Sequence, residues 1–284
     1  MRAKFYNFWT YFLYKTFNKK LKLKVGLKRK VNNPVLTVIF LHGISANSST
    51  WKTTFSELEK DMNLNRVNSI SLDLLGFGKS LKADWLDYNY FDYTEALKNS
   101  LKSLRLRTPV ILVGHSMGSL ILANFVKNSS LTYLKNLNLK NLILISPPVL
   151  KSKDLASLPD KFYLKSYSSL HSLADSLPIK ALTSFVSKVS SFRREYLKST
   201  AFAKSMENVI LNPRNFETYE TLKFKTTIIH GRFDPLVFGP NLETLAKKNK
   251  NLELINVVGD HDITSRKRAK IKEILLEAVK DEII

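Results

Sequence analysis

The residues best suited to chemistry are Ser116, Asp234 and His261. Ser116 lies in Val113-Gly-His-Ser-Met-Gly-Ser119, as Gly114-X-Ser116-X-Gly118, between a buried apolar run and a helical one. A serine hydroxyl is a weak nucleophile and must be held clear of its neighbours within reach of a base. A tight strand-to-helix turn does this, and small residues on either side keep bulk away. The same turn aims N–H groups at the helix start toward any oxyanion. His261 sits in Val258-Gly-Asp-His-Asp262 and Asp234 in Ile229-His-Gly-Arg-Phe-Asp-Pro235, each just after an apolar run. Asp234 reads either as the acceptor for the N–H of a catalytic His261 or as a cap for the next helix. Asp260 and Asp262, beside His261, compete for the first role. Phe40-Leu-His-Gly-Ile44 reads in two ways. It is a glycine turn whose His42 is satisfied by backbone, or half of an oxyanion hole in which the N–H groups of Ile44 and Met117 converge on one oxygen. His42, Gly43, Gly114, His115 and Gly118 would support these loops.

Positioning these residues requires a sheet. Val35–Leu41, Ser69–Asp73, Val110–Gly114, Asn141–Ser146, Thr226–His230 and Leu252–Val258 read as buried strands rich in Val, Ile and Leu. Thr50–Met62, Phe91–Leu106, Met117–Lys127, Pro240–Asn249 and Thr264–Val279 read as helices between them. The alternation predicts an α/β fold, a mostly parallel sheet covered by helices on both faces. Lys20–Val31 can add an antiparallel edge strand or pair. In such sheets ligands bind beyond the carboxyl ends of the strands. Of only nine glycines, eight fall at or just after those ends, where the backbone turns sharply or approaches something closely. Pro147–Lys225 contains no clear strand and has helical spacing around Lys161–Leu173, Ile179–Val189 and Arg194–Asn208. A structureless loop of that length is out of keeping with a compact domain, so an inserted helical subdomain is expected.

The order Ser, Asp, His, with the serine on a strand-turn-helix and the His-Gly loop upstream, resembles the α/β-hydrolase superfamily over residues 34–284. Asp73-Leu-Leu-Gly-Phe-Gly-Lys-Ser80 is similar to that family's Asp-X-X-Gly-X-Gly-X-Ser loop. The resemblance implies a structural role for this loop and for Asp73, and it implies that 147–225 is a cap. Gly259-Asp260-His261 departs from the family's usual Gly-X-Gly-His. A serine nucleophile argues against dehalogenase- and epoxide-hydrolase-like relatives. Pro147-Pro148 after the strand ending at Ser146 offers no acid, which leaves Asp234 as the third member. The expected domains are thus a basic aromatic segment (1–33), a core (34–146 and 226–284) and a helical cap (147–225).

The expected activity is hydrolysis of a carboxylic ester, small or lipid-like, through an acyl-enzyme on Ser116, with no metal or organic cofactor. The same scaffold and triad also serve carbon–carbon, amide and thioester hydrolysis and acyl transfer, and they can carry a non-catalytic binding protein. The chain has no cysteine, which excludes a thiol nucleophile, disulfides and thiolate metal sites. Its formal charge of +21 invites nucleic-acid or acidic-membrane readings. No nucleic-acid recognition module is present, so no specific nucleic-acid partner is expected. Residues 1–33 hold ten basic side chains and no acidic one, with Phe5, Phe8, Trp9, Phe12 and Leu13 at helical spacing. That segment suits a helix lying in an anionic lipid interface, or one packed on the domain. No run reaches the ~18 apolar residues needed to cross a bilayer, and the segment is a poor signal peptide. A cytoplasmic protein, peripheral at the inner face of the membrane, is the expected setting.

Overall fold

The computed structural model describes residues 2–151, 194–197 and 199–282. Helix α1 (Arg2–Thr16) precedes strand β1 (Lys24–Arg29). The chain then runs through β2 (Leu36–Leu41), α2 (Lys52–Lys60), β3 (Val67–Asp73), α3 (Tyr90–Leu104) and β4 (Val110–His115). It continues with α4 (Met117–Asn128), α5 (Leu131–Asn136) and β5 (Leu139–Ile145). Further along the chain come α6 (Thr200–Ser205), α7 (Asn215–Glu220), β6 (Thr226–Gly231), α8 (Gly239–Lys248), β7 (Leu252–Val257) and α9 (Ser265–Asp281). Among the described residues the strands form one seven-stranded sheet in the order β1-β3-β2-β4-β5-β6-β7. Every pair is parallel except β1 with β3. The antiparallel edge strand expected within Lys20–Val31 is β1.

The sheet interior follows from its composition. All six residues of β2, Leu-Thr-Val-Ile-Phe-Leu, are buried, as they must be in a strand covered on both faces. Alternate side chains therefore enter two cores. Ile39 and Leu41 join Leu97, Leu120 and Leu242 under α3, α4 and α8. Val38 and Phe40 join Phe55, Leu58, Ile271 and Leu275 under α2 and α9. Phe40 meets Trp51 and Phe55 at ring separations of 4.9 and 5.1 Å. Such pairs add about 0.5–1.5 kcal/mol to what area burial contributes.

The elements expected from periodicity recur with shifts of a few residues, and the differences have local causes. The start of the expected Thr50–Met62 helix is a 3-10 turn, Ser48–Trp51, whose first N–H groups are capped by Asn47. Helix α5 escaped notice because six residues give too little periodicity. Arg194–Asn208 is broken: a 3-10 turn (Arg194–Tyr196) is followed by α6, restarted by the Ser199 side chain accepting from the Phe202 N–H, and then by a π turn (Met206–Ile210). These pieces dock on α3 through Tyr93 Oη and Ser205 Oγ, 2.7 Å apart, and through Tyr90 Oη on the Val209 carbonyl at 3.3 Å. The helices expected around Lys161–Leu173 and Ile179–Val189 lie outside the described residues. Among the described residues no helix is long and apolar enough to cross a membrane.

Candidate active site

The carboxyl ends of β4, β6 and β7 bring the three residues together. Ser116 joins β4 to α4 with φ of 52° and ψ of −120°, a conformation an L-residue adopts only where its surroundings enforce it. Its own N–H donates to the Ile145 carbonyl of β5 at 2.8 Å, and its carbonyl accepts from the Ser119 N–H at 2.9 Å. The tightness of the turn needs Gly118. A Cβ there would sit 2.7 Å from the His42 carbonyl oxygen and 2.8 Å from that of Leu41. Gly114 starts the same turn from within β4.

His261 and Asp234 face Ser116 from the neighbouring strand ends. His261 Nε2 is 2.9 Å from Ser116 Oγ, and His261 Nδ1 is 3.0 and 2.9 Å from the two Asp234 carboxylate oxygens. The carboxylate accepts only, so Nδ1 carries the proton and Nε2 presents a lone pair to the serine hydroxyl. All three residues are buried. Burial alone would raise the Asp234 carboxyl. The His261 imidazole and the Leu236 N–H, which donates at 2.9 Å, outweigh it and hold the group down at about 2. The Asp234 and His261 loops are also tied by backbone: Arg232 N–H donates to the Val257 carbonyl at 2.9 Å and Phe233 N–H to that of Gly259 at 3.0 Å. The carboxylate on His261 Nδ1 is thus that of Asp234. Asp260, exposed, instead accepts from the Asp262 N–H at 3.1 Å.

The supporting residues divide into two groups. At the β2 end, a Cβ on Gly43 would lie 3.0 Å from Ser116 Cβ, so the backbone entering Ile44 passes directly against the serine. Met117 is the first residue of α4, where a helix leaves N–H groups without intrahelical acceptors. His42 has its ring nitrogens on backbone: the Leu74 N–H donates to Nε2 at 2.9 Å and Nδ1 donates to the Gly43 carbonyl at 2.7 Å. It clips the β2 loop to the loop after β3 and does not reach Ser116 Oγ by hydrogen bond. Asp73 ties that second loop to the Ser48 N–H (2.7 Å) and the Lys79 N–H (2.8 Å).

The second group was not foreseen in these roles. His115, the X of Gly-X-Ser, donates from Nε2 to the His261 carbonyl at 2.8 Å. Burial and the adjacent His261 ring push its pKa down to about 3, so it stays neutral. Lys267, in the first turn of α9, is fully buried. Its ammonium donates to Ser146 Oγ (2.8 Å) and to the carbonyls of Asp260 (2.5 Å) and Asp262 (2.9 Å), on either side of His261. Burial lowers it to about 8, against the opposing pull of the Asp234, Asp260 and Asp262 carboxylates. In a chain with 45 Lys and Arg, a buried lysine has no sequence signal of its own; its only clue was a place one turn beyond the His261 loop.

The family model described as alpha/beta hydrolase fold matches residues 37–171, a little under half of the chain, and the chain has the α/β-hydrolase fold. Among named proteins, it is 34% identical over 119 residues to an Arabidopsis thaliana protein called "Probable lysophospholipase BODYGUARD 5", covering 41% of this chain and 25% of that protein. It is 32% identical over 124 residues to "Probable lysophospholipase BODYGUARD 4" of the same plant, covering 43% and 27%. The matched stretch is therefore about a quarter of those relatives' length. Among solved structures, MenH from S. aureus superposes with a TM-score of 0.69 at 18% identity, covering 91% of this chain and 98% of that one. An esterase from Exiguobacterium antarcticum superposes with a TM-score of 0.64 at 18% identity, covering 92% and 100%.

Proposed function

We propose that the protein is a serine hydrolase of carboxylic esters, with Ser116 as nucleophile, His261 as general base and Asp234 as its orienting acid. The observation that carries the reading is the unbroken chain Asp234–His261–Ser116 at 2.9–3.0 Å, with the serine on a positive-φ turn. His261 Nε2 takes the hydroxyl proton as Ser116 Oγ bonds to the ester carbonyl carbon. The carbonyl π pair moves onto oxygen, which rests between the N–H groups of Ile44 and Met117. Such preorganised donors contribute about 2.7–4 kcal/mol each to the transition state. Collapse breaks the bond to the alcohol oxygen, which leaves with the proton from His261. Water, deprotonated by His261, then releases the acid and restores Ser116. Asp234 stays ionised throughout, holding the imidazole tautomer and stabilising the imidazolium.

Two observations favour a lipid-like ester over a polar one. The similar stretch of the Arabidopsis proteins comes from chains named as probable lysophospholipases. The basic aromatic helix α1 adds a second, independent pointer. Residues 147–225 would then act as the cap over the strand ends. A fluorophosphonate probe should label the wild-type protein on Ser116 and leave Ser116→Ala unlabelled. A series of 4-nitrophenyl esters, run beside the matching anilides, reads the bond and the chain length. Labelling at another residue, or anilide turnover exceeding ester turnover, overturns the reading.

A further inference from the structure

Helix α1 is mounted on the protein by Asn7, Thr10, Tyr11 and Tyr14, and carries Phe8, Trp9 and Phe12 outward. Asn7 and Thr10 lie one turn apart and face the loop between β3 and α3. The Asn7 side chain donates to the Asp84 carboxylate and accepts from the Asp84 N–H at 3.0 Å. The Trp85 indole N–H donates to Thr10 Oγ1 at 3.0 Å, and Tyr11 and Tyr14 pack on the Trp85 ring at 5.9 and 5.7 Å. Phe8, Trp9 and Phe12 project from roughly the opposite side, by the helical period. They are 62%, 44% and 38% exposed, and Phe17, just past the helix, is 68% exposed. Their rings form one continuous cluster: Phe8–Phe12 at 6.5 Å, Trp9–Phe12 at 5.9 Å and Phe12–Phe17 at 5.8 Å. A helix that only needed to pack on its own domain would bury these rings and expose Asn7 and Thr10.

We propose that this aromatic face, with the lysines that follow it, is the surface by which the protein seats on an anionic lipid bilayer. Charge identifies the partner. Lys15, Lys19, Lys20 and Lys22, close to these rings in sequence, are exposed, and residues 1–33 contain no carboxylate side chain. Aromatic rings flanked by lysines match the headgroup region, where rings enter the acyl boundary and ammonium groups meet phosphates. Each such lysine strengthens attachment to an anionic surface about fivefold. A second copy of the chain fits poorly, because two such faces would bring like charges together in a protein of net charge +21. The clips at Asp84 and Trp85 make the seat a fixed one. They sit on the same loop whose first residues, from Leu74, hold His42. The bilayer would therefore meet the protein at a loop continuous with the site.

The test is co-sedimentation of the full chain with vesicles of phosphatidylglycerol and phosphatidylcholine in equal parts, and with pure phosphatidylcholine, at about physiological salt. Binding to the anionic vesicles is expected, and it should be weaker by about tenfold or more on the neutral ones. The variant Phe8→Ser/Phe12→Ser/Phe17→Ser should lose about tenfold or more in binding, while hydrolysing a water-soluble short ester at the wild-type rate. Addition of anionic vesicles should blue-shift the tryptophan emission, and Trp9→Phe should abolish the shift. Ser116→Ala should bind as wild type does, which separates this inference from the hydrolase reading. Equal sedimentation of the ring variant, equal binding to neutral vesicles, or a full chain left in the supernatant overturns the proposal. So does a dimer that the ring variant abolishes, which would assign the face to a second copy.

Discussion

The two sides of the site are built by different means. On the serine side, what shapes the turn lies within six consecutive residues plus the ends of β2 and β5. Its geometry is enforced by backbone: Ser116 N–H on Ile145, Ser119 N–H on Ser116, and Gly118 pressed against the Leu41 and His42 carbonyls. On the histidine side, the loop carrying His261 has backbone ties to the Asp234 loop, and these are joined by three side-chain clamps, two of them from other elements. His115 grips its central carbonyl, Lys267 grips the two flanking ones, and Asp234 grips the ring. A backbone-built turn tolerates no added atom. A loop held by clamps fails one clamp at a time, by degrees.

The contrast can be broken or sharpened by substitution. Ser116→Ala should lower kcat by about 10⁶-fold, as removal of a serine nucleophile does; ester turnover by the pure variant at a rate near that of the wild type would undo the assignment of sides altogether. Asp234→Asn should cost about 10⁴-fold in kcat, because the wrong tautomer then faces Ser116. Asp260→Asn, by comparison, should leave kcat close to wild type. If the two variants behave alike in steady-state assays, the clamp on the ring is not Asp234. Lys267→Met strands two part-buried carbonyls and one buried hydroxyl, and should destabilise the fold by about 2–4 kcal/mol in urea titration. It should lower kcat more than it raises KM, through misplacement of His261. Gly118→Ala should cost about 1–3 kcal/mol by overpacking and should disturb the turn itself. A Gly118→Ala protein of unchanged Tm would show that the serine side has slack. The smallest effect is a pH slope. The Lys267 pKa falls from its usual 10.5 to about 8 on folding, so between those values the unfolded chain binds the extra proton. This group's contribution to stability therefore rises with pH across that window. The Tm gap between wild type and Lys267→Met should accordingly widen from pH 7.5 to pH 10.

The same contrast decides what could be read without coordinates. Strands β2, β4 and β5 stood out because both faces are buried, which leaves uninterrupted apolar runs. The turn at Ser116 stood out because its requirements are contiguous and its glycines are scarce. Asp234 and His261 stand out as polar residues directly after such runs, and the sequence already favours Asp234 over Asp260 as third member; the pairing of β6 with β7 brings the two loops side by side. The clamps were hidden for a physical reason. His115 and Lys267 act through carbonyl oxygens, which every residue has, so no partner residue type betrays them. The N-terminal helix had been open between lying in an interface and packing on the domain. One side of it, Asn7, Thr10, Tyr11 and Tyr14, is fixed to the domain while Phe8, Trp9 and Phe12 stay exposed, an arrangement that depends on Trp85 and Asp84 far along the chain.

One consequence follows from the position of β7. It is one of the two edge strands of the sheet, bonded among the described residues to β6 alone, and the His261 loop begins where it ends. Edge strands open at a lower free energy than the strands inside them. Hydrogen exchange should therefore reach the amides of β7 and the first turn of α9 well before those of β2 and β4. Because the Arg232 and Phe233 amides bond into the same edge, such an opening would draw Asp234 away together with His261. Heating should thus silence the protein reversibly, several degrees below the temperature at which its core melts, leaving the serine in place with nothing to deprotonate it.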